Sequence, residues 1–152
     1  MNLKNDTALR NSLKDLFVRQ KLACLATSKG EQPYTSLVAF VSTDNLRAIL
    51  FATDKKSTKY SNMVANRRVS MLIDDRTNRV TDFHEGMAVT IIGRAQELKA
   101  DQRMRYLKPY LNKYPDLEEF VKSPDCSLLR VDVETYRIVT RFQQVTEMHV
   151  KW

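Results

Sequence analysis

The residues best suited to chemistry form one segment, in which an apolar strand runs into a basic turn and then into a helix. The predicted strand Arg47–Thr53 is followed by the turn Asp54–Lys56, and Ser57, Thr58 and Lys59 stand at the start of the helix. Backbone N–H groups in the first turn of a helix lack partners and lie at the positive end of the helix dipole. An anion is stabilised there, and two hydroxyl groups and an ammonium group add donors and charge. The segment therefore has the chemistry of a phosphate-binding site.

Two other interpretations explain the same segment. In the first, Ser57 caps the helix and the lysines are solvated, so that no ligand is involved. In the second, the cluster is the footprint of a nucleic acid, because clustered Lys and Arg side chains neutralise phosphates. No aromatic stacking signature accompanies the cluster, so nucleic acid is not an expected partner. The basic side chains concerned are Lys55, Lys56, Lys59, Arg67 and Arg68.

The remaining reactive side chains argue against several classes of site. His84 and His149 are the only histidines, and neither has a cysteine or a carboxylate at metal-ligand spacing, so no metal site is expected. Cys24 and Cys126 form no close pair, and Cys24, within an apolar run, is interpreted as a buried free thiol. The sequence has neither a Gly-x-Gly-x-x-Gly pattern nor a P-loop, which argues against Rossmann or Walker-type nucleotide binding.

Composition and charge are those of a globular protein with anionic partners. The 152 residues are 43% hydrophobic and 28% charged, and 25 Lys and Arg against 18 Asp and Glu leave a net charge of +7. That surplus favours phosphates, nucleotides or acidic surfaces. No apolar run approaches the roughly 18 residues that span a bilayer. Charges scattered through Met1–Lys21 leave no signal-peptide core, and we therefore expect a cytoplasmic protein.

The elements that must position the basic turn are mostly short strands. The chain opens with a predicted helix, Thr7–Gln20, whose apolar stripe is Leu9, Leu13, Leu16 and Phe17, with Asp6 as its N-cap. Six or seven strands are predicted: Leu22–Thr27, Tyr34–Ser42, Arg47–Thr53, Val69–Asp74 and Met87–Leu98, and in the tail Leu129–Val133 and a second candidate in which Tyr136–Phe142 leads into Val145–Trp152. Further helices are predicted at Ser57–Asn66, at Asp101–Asn112, limited or kinked by Pro109, and at Pro115–Lys122. Strands joined by tight turns, with few helices between them, predict a mainly β fold, a small antiparallel barrel with flanking helices.

Three segments in a fixed order resemble the FMN-binding split barrels related to pyridoxamine 5'-phosphate oxidase. They are ACLATSKGEQPYTSLVAF, ILFATDKKSTKYSNMVANRRVSMLID and GMAVTIIGRAQEL. The resemblance covers Leu13 to Phe142 and implies that residues 1–152 form a single domain, an antiparallel split β-barrel. It further implies homodimers in which each flavin lies in a groove between subunits.

Position by position, the resemblance implies a set of flavin-binding residues. Ser57, Thr58 and Lys59 resemble the family's phosphate turn, and Thr58 stands where an arginine is common. Phe51, Ala52 and Thr53 resemble the strand end that passes the ribityl chain, and Ser36, Leu37, Val38 and Ala39 resemble the segment whose backbone faces the flavin ring. Contributions from a partner chain are expected from the loop Asp75–Met87, through Arg76, Asn78 and His84, and from Arg141 and Trp152.

The resemblance predicts an FMN-binding oxidoreductase, in which the flavin transfers a hydride or electrons to an unidentified small substrate. The alternative is a flavin-binding protein without turnover, serving as an electron carrier or ligand sensor. The family also contains heme-handling and deazaflavin-dependent members, so the sequence leaves open which cofactor is bound. True pyridoxamine-phosphate oxidases carry an Arg-x-His motif near the C-terminus. The segment Thr140–Trp152 lacks it, so oxidation of vitamin B6 is not expected.

Overall fold

The structure, a computed structural model, describes residues 3–141 and 144–152. Its strands are β1 (Leu22–Lys29), β2 (Gln32–Ser42), β3 (Ala48–Asp54), β4 (Arg68–Asp74), β5 (Met87–Glu97), β6 (Cys126–Thr140) and β7 (Gln144–His149). Its helices are α1 (Leu3–Arg19), α2 (Thr58–Ala65), α3 (Asp82–Glu85), α4 (Ala100–Lys113) and α5 (Glu118–Lys122), with a 3-10 turn at Pro115–Leu117. Pro109 does not end α4, which continues to Lys113. Among these described residues, no helix has the length and apolar character needed to cross a bilayer.

The strands form a closed antiparallel barrel, as the sequence predicts. Their order is β3-β2-β1-β4-β5-β6, and pairing between β3 and β6 closes the barrel. Strand β7 adds to the far side of β6 and stays outside the closed barrel. The predicted segment Tyr136–Phe142 ends at Phe142, which lies outside the described residues.

The barrel interior is the main core of the molecule. Alternation along each strand directs every second side chain inward, and in β1 these are Ala23, Leu25 and Thr27. Helix α1 closes one end with Leu13, Leu16 and Phe17, so the predicted apolar stripe is confirmed. The Phe17 ring meets Phe40 of β2 edge-on at 5.9 Å between centroids. Such aromatic contacts add to the stabilisation that burial provides.

A second apolar layer covers the outside of β3 and β6. There Leu50 and Leu128 pack beneath Tyr110 of α4 and Val121 of α5. Strand β3 is therefore buried on both faces from Ala48 to Thr53. Burial on both faces explains why its sequence is a continuous apolar run with no polar alternation.

Strand β6 differs from its prediction, because two predicted strands are one. The ladder to β5 pairs Ile92 with Thr135 but Gly93 with Val133, which leaves Glu134 as an extra residue in a β-bulge. The bulge shifts the inward-facing positions from odd to even residues, as shown by buried Val133 and buried Tyr136. In the sequence, this break in the alternation of apolar residues at Glu134 is the reason that one strand is predicted as two.

Two further expectations are wrong. Asp6 does not cap α1, because the helix begins at Leu3. Its carboxylate instead accepts from Arg10 one turn later, at 3.2 Å. Cys24 is half-buried and faces outward, because its neighbours Ala23 and Leu25 take the inward positions. Whether a residue faces the core of a barrel depends on its parity in the strand as well as on apolar neighbours.

Lys113 joins the last turn of α4 to the end of α1 and to β2. Its Nζ donates to the carbonyl oxygens of Phe17 at 2.6 Å, Gln20 at 2.8 Å and Phe40 at 3.0 Å. The first two carbonyls lie at the C-terminal end of α1, where a cation is favoured. Burial, together with the nearby charge of Lys21, lowers the pKa of Lys113 from its ordinary 10.5 to about 8.

We expect Lys113 to make the stability of the protein rise between pH 8 and pH 10.5. In that window the unfolded chain binds more protons at this side chain than the folded chain does, so raising the pH favours folding. The expected slope is at most about 1.4 kcal/mol per pH unit. Urea unfolding at pH 7, 8, 9 and 10 gives the free energy of unfolding of the wild type and of Lys113→Met. The contribution of Lys113 is the pH dependence of the difference between these two free energies. A difference that stays constant over this range would contradict the prediction.

Candidate functional site

The turn between β3 and α2 is held by its own hydrogen bonds. The Ser57 hydroxyl donates to the Asp54 carbonyl at 2.7 Å and accepts from the Tyr60 N–H at 3.3 Å. It therefore caps α2, as one of the sequence interpretations predicts. The Asp54 carboxylate accepts from the Lys56 N–H at 2.7 Å and tightens the turn. These contacts order the turn and occupy the Ser57 hydroxyl.

The basic side chains around this turn differ in whether they are paired. Lys55 lies 3.6 Å from the Glu97 carboxylate, and Lys56 lies 3.4 Å from that of Asp125. Half-buried Lys59 pairs with no carboxylate of the described residues, and Thr58 beside it is exposed. Of the three predicted phosphate contacts, the side chains of Thr58 and Lys59 are therefore the two that remain available.

The strand that leads into the turn contributes one polar side chain. Thr53 is buried, and its hydroxyl lies 3.0 Å from that of Ser57. Phe51 points into the barrel core, whereas Ala52 packs outward in the layer under α4. Within the predicted trio only Thr53 has a side chain that meets the turn.

Beside the turn the barrel is split between β2 and β3. Their ladder covers only Phe40–Ser42 with Ile49–Phe51, and upstream of Phe40 the two strands separate. The buried Tyr110 hydroxyl lies in the gap, where it donates to the Ala39 carbonyl at 3.2 Å and bonds to the Ala52 backbone. Burial raises the pKa of Tyr110, while its bond to Ala52 acts in the opposite direction. Tyr110 takes the place of the next rung of the ladder.

The predicted ring-facing segment lies on the β2 edge of this split. Ser36 and Val38 face the barrel interior, and the Ser36 hydroxyl oxygen is buried without a hydrogen-bond partner among the described residues. Leu37 points outward and is 66% exposed. Ala39 also points outward, but it packs against the layer under α4. A buried hydroxyl without a partner is uncommon and marks this edge as a place where a ligand atom fits.

Sequence reasoning did not identify several polar contacts near the turn. Tyr60 donates to Glu97 at 2.9 Å, and this hydrogen bond, together with burial and the carboxylate charge, raises the pKa of Tyr60. Asn62 of α2 donates to Thr27 of β1 at 3.1 Å. The sequence offered one signal for these contacts, the position of Tyr60 and Asn62 on a predicted helix. Their partners are 37 and 35 positions away, so the pairing itself could not be predicted.

Arg76 and His84 lie at the other end of the barrel. They belong to the connection between β4 and β5, whereas α2 precedes β4. Strand β4 separates the two regions by about 23 Å. Arg76 pairs with Asp74 at 2.9 Å, and His84 is exposed on α3. Within one chain, neither residue approaches the turn that holds Lys59.

The outer surface of β2, β1 and β4 carries an apolar patch, which we call the outer face: Leu22, Cys24, Leu37 and Leu72. The register places Leu37, Cys24 and Leu72 in one row. Leu22 is 52% exposed and Leu72 is 37% exposed. A groove of about 280 Å³ borders the patch, lined by Leu72, Asp74, Asp75, Arg76, Asp82, Gly86, Met87, Ala88 and Val139.

A closed antiparallel barrel, split beside a capped basic turn and flanked by helices, defines the split-barrel class of protein. The chain belongs to the pyridoxamine 5'-phosphate oxidase family, whose sequence model matches residues 9–140. No curated protein is similar enough in sequence to match.

Solved structures share the fold at low sequence identity. A heme binding protein from Mycobacterium smegmatis has a TM-score of 0.81 at 16% identity, over 92% of this chain and 57% of that chain. A FAD-binding protein from Mesorhizobium loti has a TM-score of 0.67 at 16% identity, over 91% of this chain and 94% of that chain. General Stress Protein 26 from Bacillus anthracis has a TM-score of 0.69 at 17% identity, over 93% of this chain and 98% of that chain.

We expect Tyr110→Phe to destabilise the protein by about 1–3 kcal/mol, because it leaves the buried Ala39 and Ala52 backbone groups without their shared partner. Chemical denaturation of the variant and the wild type measures the loss. Tyr34→Phe, at an exposed position on β2, is the control and should leave the free energy of unfolding unchanged. Equal stability of all three proteins would show that Tyr110 does not hold the split.

Proposed function

We propose that the protein is an FMN-binding flavoprotein and acts as an oxidoreductase toward a small substrate. The observation that carries the proposal is the ammonium group of Lys59 at the start of α2, next to the split, which pairs with no carboxylate of the described residues. FMN supplies the hydride and electron chemistry when bound, as cofactors do in such proteins. The residues of the chain bind it, orient it and shape access to it.

The first turn of α2 suits the terminal phosphate of FMN. Unpaired backbone N–H groups there favour an anion, and Thr58 and Lys59 add a hydroxyl donor and a charge. Lys55 and Lys56 lie 3.6 and 3.4 Å from the carboxylates of Glu97 and Asp125, and these pairings reduce their contribution to the anion site. The Ser57 hydroxyl would not contact the phosphate directly, because it is occupied by hydrogen bonds that order the turn.

The split supports a place for the rest of the flavin. Thr53 lies between the turn and the barrel and suits a ribityl hydroxyl. Upstream of Phe40, the backbone of Ser36–Ala39 runs along an edge that β3 has left. Backbone groups on such an edge and the Ser36 hydroxyl are suited to the polar rim of a flavin ring. Phe51 and Ala52 would act through the backbone, since their side chains pack in the two apolar layers.

We further propose that the working unit is a homodimer that pairs through the outer face. Exposed apolar patches of this kind mark interaction surfaces, and Leu37 belongs to both the outer face and the predicted ring-facing segment. A second copy is also what would bring Arg76 and His84 to a flavin held at the split, because β4 separates them from it within one chain. Arg76 would then bring a guanidinium group, paired with Asp74 of its own chain, to the rim of the site.

A second candidate is a protein that binds its cofactor without turnover, and heme is one such cofactor. The heme binding protein of M. smegmatis shares the fold, and His84 lies exposed beside the apolar groove. Absorption spectra distinguish the candidates after FMN or hemin is added to the purified protein. Flavin bands that bleach on addition of NADPH and recover with an acceptor support the oxidoreductase. Flavin bands that do not respond indicate a carrier, and a Soret band favours heme.

Lys59→Ala should weaken FMN binding about 10- to 150-fold, because a charge-assisted hydrogen bond to phosphate is worth about 1.5–3 kcal/mol. Quenching of flavin fluorescence on binding measures the Kd. Lys56→Ala removes the same charge from the same turn and should change the Kd little, since Lys56 already pairs with Asp125. Equal effects of the two substitutions in folded variants would reject Lys59 as the phosphate ligand.

Leu72→Asp should convert the dimer into a monomer, because it places a charge in the middle of a buried apolar interface. Light scattering coupled to gel filtration gives the mass of each species. Met104→Asp, at a position on α4 that is 76% exposed, introduces the same charge away from the outer face and should leave the dimer intact. A wild-type protein that elutes at the mass of one chain would refute this assembly.

A further inference from the structure

Arginines and aromatic rings alternate on the side of the barrel near the start of β3. Arg47 lies over the Trp152 ring at 5.9 Å from the guanidinium carbon to the centroid, and Arg130 lies over the same ring at 5.7 Å. Arg130 is also 6.0 Å from the Tyr106 ring, and Arg105 lies over that ring at 5.6 Å. We call these five side chains the arginine–aromatic ladder. It joins the residue before β3, strand β6, helix α4 and the segment after β7 into one surface.

Within one chain, the Arg47 end of the ladder is distant from the proposed flavin site, while Arg130 lies beside the middle of β3, opposite Leu50. Arg47 precedes β3, whereas the turn that carries Lys59 follows β3, and a strand of this length spans about 23 Å. Arg47 therefore does not belong to the cluster of basic residues around the turn before α2.

The charge of the ladder is only partly neutralised. Arg130 pairs with Asp132 at 2.6 Å. Arg47 and Arg105 are exposed and form no ion pair within residues 3–141 and 144–152. A cation–π contact attracts a guanidinium group without using its N–H donors, which stay free to bind phosphate. Arg47 and Arg105 therefore keep their donors, whereas Arg130 gives one to Asp132.

Two clefts flank the ladder and extend its surface. A cleft of about 750 Å³ is lined by basic Arg10, Lys14, Arg47 and Lys151 and by acidic Asp6, Asp44 and Glu147, and one of about 300 Å³ includes Arg105 and Tyr106. Asp6 pairs with Arg10 and Glu147 with Arg137, which leaves Lys14, Arg47 and Lys151 against Asp44 in the larger cleft. Asp44, in the turn between β2 and β3, lines both clefts and is the negative charge they share. Trp152 is 61% exposed, so part of its ring is open to a further partner.

We propose that the arginine–aromatic ladder binds single-stranded nucleic acid, with phosphates on Arg47 and Arg105 and a base against Trp152. Positively charged grooves that combine arginines with exposed rings bind single strands without strong sequence preference. The basic cluster near α2, which the sequence suggested as a nucleic-acid footprint, is not the surface concerned, since two of its lysines pair with carboxylates. The proposal assigns Trp152 to this surface in place of the contribution to a partner's flavin site that the resemblance implies, and it involves neither Lys59 nor the split.

Trp152 is the only tryptophan in the chain, so its fluorescence reports directly on the ladder. We expect single-stranded (dT)15 to quench this fluorescence saturably in the FMN-loaded protein, excited at 295 nm. The mononucleotide dTMP tests whether a single nucleotide unit suffices, and inorganic polyphosphate tests charge without bases. Quenching by (dT)15 that dTMP does not reproduce supports a strand. Saturable quenching by dTMP at equal affinity would replace the strand with a free nucleotide as the ligand.

Substitutions of the ladder residues test how much each contributes to the affinity for (dT)15. Anisotropy of labelled (dT)15 should show the Kd rising about 5- to 100-fold in Trp152→Leu. The double variant Arg47→Gln/Arg105→Gln should weaken binding about tenfold or more and lower the slope of log Kd against log salt by about 1.4. Asp44→Asn should tighten binding, because it removes the shared negative charge.

The matched control is Lys56→Gln/Arg68→Gln, which removes two positive charges at the α2 end of the barrel. It should leave the Kd for (dT)15 within about twofold of the wild type at 0.15 M salt, since those charges lie beyond a Debye length from the ladder. Equal losses in both double variants would show general electrostatic attraction and overturn the assignment. The same conclusion would follow if polyphosphate competed fully and Trp152→Leu had no effect. Absence of any binding to (dT)15 would also overturn it.

Discussion

The separation of β2 from β3 is the constraint on which the rest of the structure depends. An antiparallel ladder that ends inside a barrel leaves backbone groups without partners, and burying such groups is costly. Tyr110 resolves this by bonding to Ala39 and Ala52 at the point where the next rung would lie. The same residue belongs to the apolar layer that covers the outside of β3. One helix therefore both covers the barrel and keeps it open beside the basic turn.

The net charge of +7 acts at particular places and not as a uniform field. Two lysines of the basic turn pair with Glu97 and Asp125, whereas Lys59 beside the split pairs with no carboxylate of the described residues. On the surface that carries Trp152 and Tyr106, Arg47 and Arg105 lie over aromatic rings and form no ion pair among the described residues. Charge density along the sequence is thus a poor guide to anion binding, since pairing in the fold decides which cations are available.

The fold is shared by proteins with different ligands, as the heme binding and FAD-binding neighbours show. Ligand choice in such a fold is a matter of the side chains around the split and of what a second chain adds. In the proposed dimer, a second chain docked on the outer face would complete the site. Arg76 and His84 would reach the split only in that arrangement, because β4 holds them at the far end of their own chain.

The sequence by itself determined the features that depend on local chemistry: the apolar stripe Leu13, Leu16 and Phe17, the Ser57 cap, the alternation of the strands and the antiparallel barrel. The tertiary structure alone decided which of these features meet. Tyr110 and Ala39 are 71 positions apart, the Glu134 bulge disguised one strand as two, and Cys24 faced outward although its neighbours are apolar. Periodicity reports how a segment is solvated, whereas contacts between distant residues depend on the packing of the whole chain.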